Sequence, residues 1–300
     1  MIYICKNIFR RVDKMLDVIA DTLLDSIKLL PFLFLTYLAM EYLEHRTSSK
    51  TKRLIKDSGK AGPFLGALLG AFPQCGFSAA ASNLYAGRVI TLGTLIAIYL
   101  STSDEMIPVF ISEQVGVGLI LKVLIAKIVI GMVMGFIIDL LIRSFRKQGE
   151  TEISIKIGGV CEHDHCHCEK SIVRSSLKHT LTIFIYIVVI SFILNTAIHF
   201  IGEDTLASLI LDRPVIGPLI ATLVGLIPNC AASVVLTQLY LGNVMSLGAM
   251  MGGLLAGAGV GILVLFKENR NVKENLKMLG IMYTIGAVCG IIIDFCGIAL

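Results

Sequence analysis

Pro73-Gln74-Cys75 and Pro228-Asn229-Cys230 each place a soft sulfur, an amide side chain and a proline within three residues, twice in one chain. Proline removes a backbone donor and frees a carbonyl. Ser78 and Ser233 add a hydroxyl three residues after each cysteine. Thiol sulfur prefers soft cations and thiophilic metalloids. Half-helices starting at such breaks would aim open N–H groups and positive dipole ends at a ligand. The plainer reading of one such break is a kink with a buried cysteine as filler. Recurrence at a fixed offset of 155 residues favours a paired binding site, since corresponding breaks in two halves are how transporter folds build one.

Two further groups could do chemistry. Ser101-Thr102-Ser103-Asp104-Glu105 puts two carboxylates in strongly apolar sequence, where the second half has Ala256-Gly257-Ala258-Gly259-Val260. Acids at membrane depth carry coupling protons or hold a hard cation; at an interface they are loop residues. The stretch 161–169 holds Cys161, His163, His165, Cys166, His167 and Cys168 with three acids. Thiolate and imidazole at that density suit Zn²⁺, Cu⁺ or Cd²⁺, though the spacing fits no closed zinc-finger pattern. It predicts a cytoplasmic sensor or donor site outside the translocation path.

The elements that must position these residues also come twice. The 155-residue offset links Gly62-Pro63 to Gly217-Pro218, Leu84-Tyr85 to Leu239-Tyr240, Gly87 to Gly242, Leu92-Gly93 to Leu247-Gly248, and Asp139 to Asp294. The 300 residues are 55% hydrophobic and 16% charged, with a mean hydropathy of +0.82, beyond what a soluble surface could cover. Candidate spans are 23–43, 90–111, 115–142, 181–200, 244–266 and 279–300. The fold class predicted is therefore all-α: a polytopic helical membrane protein. It divides into a first transmembrane repeat over 1–144, a Cys/His-rich linker over 145–178 and a second repeat over 179–300.

Loop charge orients the repeats. The stretches 46–60, 143–178 and 267–277 are rich in Lys and Arg, whereas 103–113 and 202–213 are acidic. Basic loops belong in the cytoplasm. Keeping both 46–60 and Arg88 there requires 62–87 to enter and return, and 217–242 to do so from the opposite face. The repeats are then inverted. A single crossing by 62–87 would make them parallel instead, and the basic N-terminal residues Lys6, Arg10, Arg11 and Lys14 favour that alternative. The N-terminus lacks a small-residue cleavage site.

Lesser signals have structural readings. Asp139 and Asp294 suit helix ends or function equally. Asp17, Asp21 and Asp25 form a solvated stripe. Lys122 and Lys127 can snorkel. The pairs Gly131/Gly135 and Gly286/Gly290 mark close helix packing. Cys5, Cys289 and Cys296 read as small buried apolar residues. No phosphate-binding loop or His-Glu-x-x-His motif is present, and nothing suggests nucleic-acid binding.

Pro31–His45, Gly70–Ser78, Ser101–Glu105 and Pro228-Asn229-Cys230 together resemble the ten-helix heavy-metal exporters. That family is related to the arsenic permeases and often labelled as manganese transporters. The resemblance implies efflux and two short helices in each broken segment. Thiol-dependent movement of trivalent arsenicals would suit Cys75 and Cys230; manganese would suit Asp104 and Glu105 better. The expectation is an inner-membrane, proton-coupled secondary exporter of a soft metal or metalloid. Substrate contact falls to Cys75, Cys230, Gln74, Asn229, Ser78 and Ser233 around Pro73 and Pro228, and coupling to Asp104 and Glu105. No cofactor is expected beyond a metal ion at the linker; the partners are the substrate and the lipid bilayer. The alternatives are a Mn²⁺ or other divalent-cation carrier, an intramembrane enzyme or a passive channel.

Overall fold

A computed structural model describes residues 61–72, 75–103, 106–146, 172–201 and 215–297, with scattered helical positions between 27 and 38. The described residues form helices and turns, with no strand. In chain order the helices are α1 (Gly62–Gly70), α2 (Cys75–Ala86), α3 (Leu92–Ser101), α4 (Met106–Ser112), α5 (Val117–Arg146), α6 (Ile172–Ile201), α7 (Ile216–Gly225), α8 (Cys230–Leu241), α9 (Leu247–Ala256), α10 (Gly261–Glu268) and α11 (Val272–Phe295). The bounds of α2 and α3 reappear 155 residues later as those of α8 and α9, and α4 and α5 begin where α10 and α11 begin at the same offset.

The repeated boundaries have local causes. Thr91 accepts from the Thr94 amide to cap α3, and Ser246 accepts from the Ala249 amide to cap α9. Arg88 and Asn243 stand in the left-handed region, at φ 58° and 56°, just beyond α2 and α8. Their amides bond back to Tyr85 and Tyr240, and the next amides to Leu84 and Leu239, which stops both helices in the same way.

Glycines bring the helices together. A Cβ at Gly93 would lie 2.2 Å from the Gly135 carbonyl oxygen, and one at Gly248 would lie 2.2 Å from that of Gly290. The two GxxxG pairs therefore pack backbone to backbone, α3 on α5 and α9 on α11. Helices α3 and α9 are buried over nearly their whole length. The long helices α5, α6 and α11 present apolar faces outward, among them Val117, Leu140, Leu181 and Ile292. A hydrocarbon surround is the solvent for such faces. Among the described residues five segments are long and apolar enough to span a bilayer: Leu92–Ser112, Val117–Ser144, Ser176–Leu194, Leu247–Glu268 and Val272–Phe295. The chain is a multi-pass helical membrane protein.

The halves interlock. Helix α10 of the second half packs on α2 of the first, and α4 of the first packs on α8 of the second. One apolar cluster joins Phe110, Val115, Leu119 and Val123 to Leu239, Tyr240 and Met245. Another joins Tyr85, Leu92 and Leu95 to Leu265, Met278 and Met282. The start of α3 thus lies beside the start of α11, and the start of α9 beside the start of α5.

Several expectations need correction. The spans expected over 90–111 and 244–266 stand at Leu92–Ser112 and Leu247–Glu268, but each is two half-helices and not one continuous helix, interrupted between α3 and α4 and between α9 and α10. Gly257 is extended with ψ 95° and Gly259 left-handed with φ 51°, which ends α9. The stretch 103–113, read as an acidic loop, contains α4, whose Met106 and Phe110 are fully buried. Helix α11 begins at Val272, capped by Asn271, and not near 279. Lys127 does not snorkel: it is 1% exposed. Cys296 is exposed and Cys289 half-buried, so neither is a plain core residue.

Candidate functional site

The second half shows its break in full. Helix α7 ends at Gly225, the chain turns through Pro228, and Asn229 caps α8 by accepting from the Ala231 amide at 3.2 Å. Cys230 opens α8 and is buried. The Ser233 hydroxyl donates to the Cys230 carbonyl at 2.7 Å, one turn along. A small pocket, with room for about one water, lies against this turn, lined by Gly225, Asn229, Ser233, Leu236, Gly253, Gly257 and Gly259. It therefore joins the proline break to the second break, between α9 and α10. It is far smaller than the clefts that take organic ligands of drug size, and its walls are glycine backbone and the Leu236 side chain, with the Asn229 amide and the Ser233 hydroxyl. The backbones meet closely, since a Cβ at Gly225 would lie 2.0 Å from the Gly253 carbonyl oxygen.

The first half repeats the contact. A Cβ at Gly70 would meet the Ile98 carbonyl at 2.5 Å and the Ser101 hydroxyl at 2.2 Å. Cys75 opens α2. Ser78 is fully buried at the crossing with α10, and a Cβ at Gly261 would lie 2.8 Å from its own Cβ. One turn further, the Ser82 hydroxyl donates to the Gly261 carbonyl at 2.7 Å and shares a 2.6 Å bond with the Tyr99 hydroxyl. Nearby, the Tyr37 hydroxyl reaches Asn83 at 3.2 Å and Glu268 at 3.0 Å, while Nδ2 of buried Asn83 has no hydrogen-bond partner among the described residues.

Asn229, Ser233 and buried Cys230 thus come together around one turn, with Pro228 in the turn itself. Pro73, Gln74, Asp104 and Glu105 lie outside the described residues, as do Cys161, His163, His165, Cys166, His167 and Cys168, and as do 46–60, 202–213, Asp17, Asp21 and Asp25. The residues flanking the two acids are deeply buried: Thr102 is 3% exposed, Ser103 1% and Met106 0%. Among the described residues no three His, Cys, Asp or Glu side chains gather to hold a metal ion.

Three arrangements were missed in sequence. Lys127 of α5 donates from Nζ to the Thr102 carbonyl, where α3 ends, and at 2.9 Å to the Leu254 carbonyl in the last turn of α9. Its signal was a lone cation deep in an apolar run, which is functional by default. The matching position 155 residues on is Met282, also fully buried. Asp139 accepts from the Gly93 amide at 2.9 Å and the Thr91 hydroxyl at 2.6 Å, and Asp294 accepts from Gly248 and Ser246 at 2.8 and 2.7 Å. Both aspartates are thus helix clasps. Outside the spans, Arg88 pairs with Glu274 at 2.8 and 3.0 Å. That hydrogen bonding holds the guanidinium above its ordinary pKa, so it stays charged.

The breaks supply both poles. The start of α8 offers N–H groups and a positive dipole end, and the ends of α3 and α9 offer carbonyls and negative ones. A family model described as "Putative, 10TM heavy-metal exporter" matches residues 11–202, more than half of the chain. No curated protein and no solved structure matches.

Proposed function

Because the chain belongs to the 10TM heavy-metal exporter family, we propose that it is a proton-coupled secondary exporter of a soft metal or metalloid in the inner cell membrane. The observation that carries this is the doubled break: a turn opening onto a cysteine-headed half-helix in each half, beside a second break where another half-helix ends. Cys75 and Cys230 contact the substrate through sulfur. Gln74, Asn229, Ser78 and Ser233 hold it from the same turns, shaped by Pro73 and Pro228. Asp104 and Glu105 carry the coupling protons, a role supported by the buried residues on either side of them.

The two halves are inverted repeats in this reading. The interlocking of α10 with α2 and of α4 with α8 supports it, because reciprocal exchange is what a two-fold relation produces. The linker cysteines and histidines, Cys161 to Cys168, bind a thiophilic or borderline metal in the cytoplasm and do not form the translocation path.

A divalent-cation carrier is the second reading. The Asn229 amide and the Ser233 hydroxyl beside the second break favour it, since oxygen ligands suit a hard cation. Flux in proteoliposomes loaded with Cd²⁺, a trivalent arsenical or Mn²⁺ decides between them. Uphill, pH-driven movement of the soft substrates, lost in Cys75→Ser and Cys230→Ser, is expected. Mn²⁺ flux that survives both substitutions but is abolished by Asp104→Asn and Glu105→Gln would leave the second reading standing. Flux that only runs downhill would mean a channel, and an altered product an enzyme.

A further inference from the structure

Residues 267–277, where α10 gives way to α11, carry four Lys or Arg side chains and two Glu. Both carboxylates are engaged by the first half: Glu268 accepts from the Tyr37 hydroxyl at 3.0 Å, and Glu274 holds Arg88 through two nitrogens. Lys267 lies 5.5 Å over the Tyr186 ring. That leaves Arg270, Lys273 and Lys277. All three are exposed, and none has a hydrogen bond or ion pair with the described residues. Arg270 stands two residues before α11, and Lys273 and Lys277 share one face of its first two turns.

The same face continues down the helix. Gly280, Thr284 and Val288 follow Lys277 at spacings of three, four and four, and each is exposed. A Cβ at Gly280 would meet nothing within 4 Å, so an open notch lies one turn below the cations. Beyond Lys277 the one charged side chain of α11 is Asp294, which clasps Gly248. From Lys277 to Val288 the helix rises roughly 16 Å, about half the thickness of a hydrocarbon core. The stripe is thus cationic for two turns and apolar or small for one leaflet's depth. The repeat does not impose it: 155 residues earlier, Val115, Gly118 and Lys122 stand where Arg270, Lys273 and Lys277 do. We infer that this stripe binds an anionic phospholipid. Its phosphate lies on Arg270, Lys273 and Lys277, and an acyl chain lies along Gly280, Thr284 and Val288. Basic side chains beside a span attract anionic headgroups, and the apolar run below them is the lipid-facing side of α11.

The probe is dioctanoyl phosphatidylglycerol, titrated into the full chain after delipidation in an uncharged detergent and read as the thermal midpoint. It should raise the wild-type midpoint by about 2–4 °C. Dioctanoyl phosphatidylcholine and inorganic phosphate at equal ionic strength should not. Arg270→Gln, Lys273→Gln and Lys277→Gln should each raise the half-saturating lipid concentration about fivefold. The triple variant should melt like the wild type without lipid, since no partner is lost. It should then fail to respond at concentrations that saturate the wild type. Lys122→Gln, at the start of the equivalent helix, should respond as the wild type does. A triple variant that responds fully overturns the inference. So does a phosphatidylcholine response of equal size, which would make the face a general lipid contact. A response to inorganic phosphate alone would make it a soluble-anion site, and a midpoint that rises with protein concentration alone would put a second copy there; either result overturns the inference. If the triple variant does not fold, the single variants decide, and three unchanged half-saturation points overturn it. No transported substrate enters these melts, so the exporter reading stands or falls separately in the flux assay.

Discussion

The Asp139 carboxylate accepts from the Gly93 amide at 2.9 Å, and 155 residues later Asp294 does the same for Gly248 at 2.8 Å. Each carboxylate also takes the hydroxyl of the residue that caps the following helix, Thr91 or Ser246. A carboxylate at a helix N-terminus meets open N–H groups and a positive dipole end. Its charge-assisted bonds are each worth about 1.5–3 kcal/mol. Asp139→Ala and Asp294→Ala should therefore each lower the unfolding free energy by about 2–4 kcal/mol, with the Asn variants losing less. Denaturation of the purified protein in detergent checks this. A stable Asp139→Ala protein that has lost transport would instead give the residue a direct role.

The glycine under each clasp is equally constrained. A methyl group on Gly93 would collide with the Gly135 backbone, and one on Gly248 with the Gly290 backbone. Backbone cannot step aside as a side chain can, so Gly93→Ala and Gly248→Ala should cost about 2 kcal/mol or more by forcing α3 from α5 and α9 from α11. Gly280 is the control, because a Cβ there meets nothing within 4 Å. Gly280→Ala should leave stability unchanged or raise it by up to about 1 kcal/mol. Expression and thermal midpoints of the three variants test the contrast. Equal losses in all three would dismiss backbone contact as the cause.

What the sequence made legible is what repeats or what packs by a fixed spacing. Pro228-Asn229-Cys230 announces the turn before α8, and Gly286 with Gly290 announces the close approach to α9. The second break in each half was not legible. Residues 244–266 are apolar almost throughout, where hydropathy cannot tell a continuous helix from two stacked halves, and in 90–111 the polar run Ser101–Glu105 reads as coupling acids or loop residues. What ends α9 is backbone geometry at Gly257 and Gly259, and a glycine in an apolar span more often signals packing. Lys127 was misread for a related reason. Snorkelling follows from distance to the interface, whereas its partners are backbone carbonyls contributed by α3 and α9, which no side-chain pattern marks.

Arg88 links the end of α2 to the start of α11, so it should couple the halves. Its guanidinium meets Glu274 through two nitrogens and lies 5.3 Å over the Tyr85 ring. The side chain is 41% exposed, so solvent screening keeps the pair modest. Replacing Arg88 by Asn, the residue the second half has at this left-handed position, preserves the turn and removes the charge. A double-mutant cycle of Arg88→Asn with Glu274→Gln should give a coupling of about 0.5–1 kcal/mol that shrinks as salt rises. A coupling of zero at low salt would make the pair ornamental.

The direction of the repeats can be read from four cysteines placed by these contacts. Leu92 begins α3 beside Met278 of α11, at the end that also carries Arg88, Lys267, Arg270, Lys273 and Lys277. Leu247 begins α9 beside Leu119 of α5, where 112–116 and 242–246 contain no Lys or Arg. Basic ends remain in the cytoplasm. Glu113, Val244, Arg270 and Lys273 are all exposed. In a background cleared of the eight natural cysteines, Glu113→Cys and Val244→Cys should react with an impermeant maleimide on intact cells. Arg270→Cys and Lys273→Cys should react only after the membrane is opened. Equivalent helices would then start from opposite faces, as inverted repeats require, because Glu113 precedes α5 by four residues and Arg270 precedes the equivalent α11 by two. Labelling of Glu113→Cys and Arg270→Cys from the same face would start the equivalent helices α5 and α11 on one side and sink the inverted arrangement.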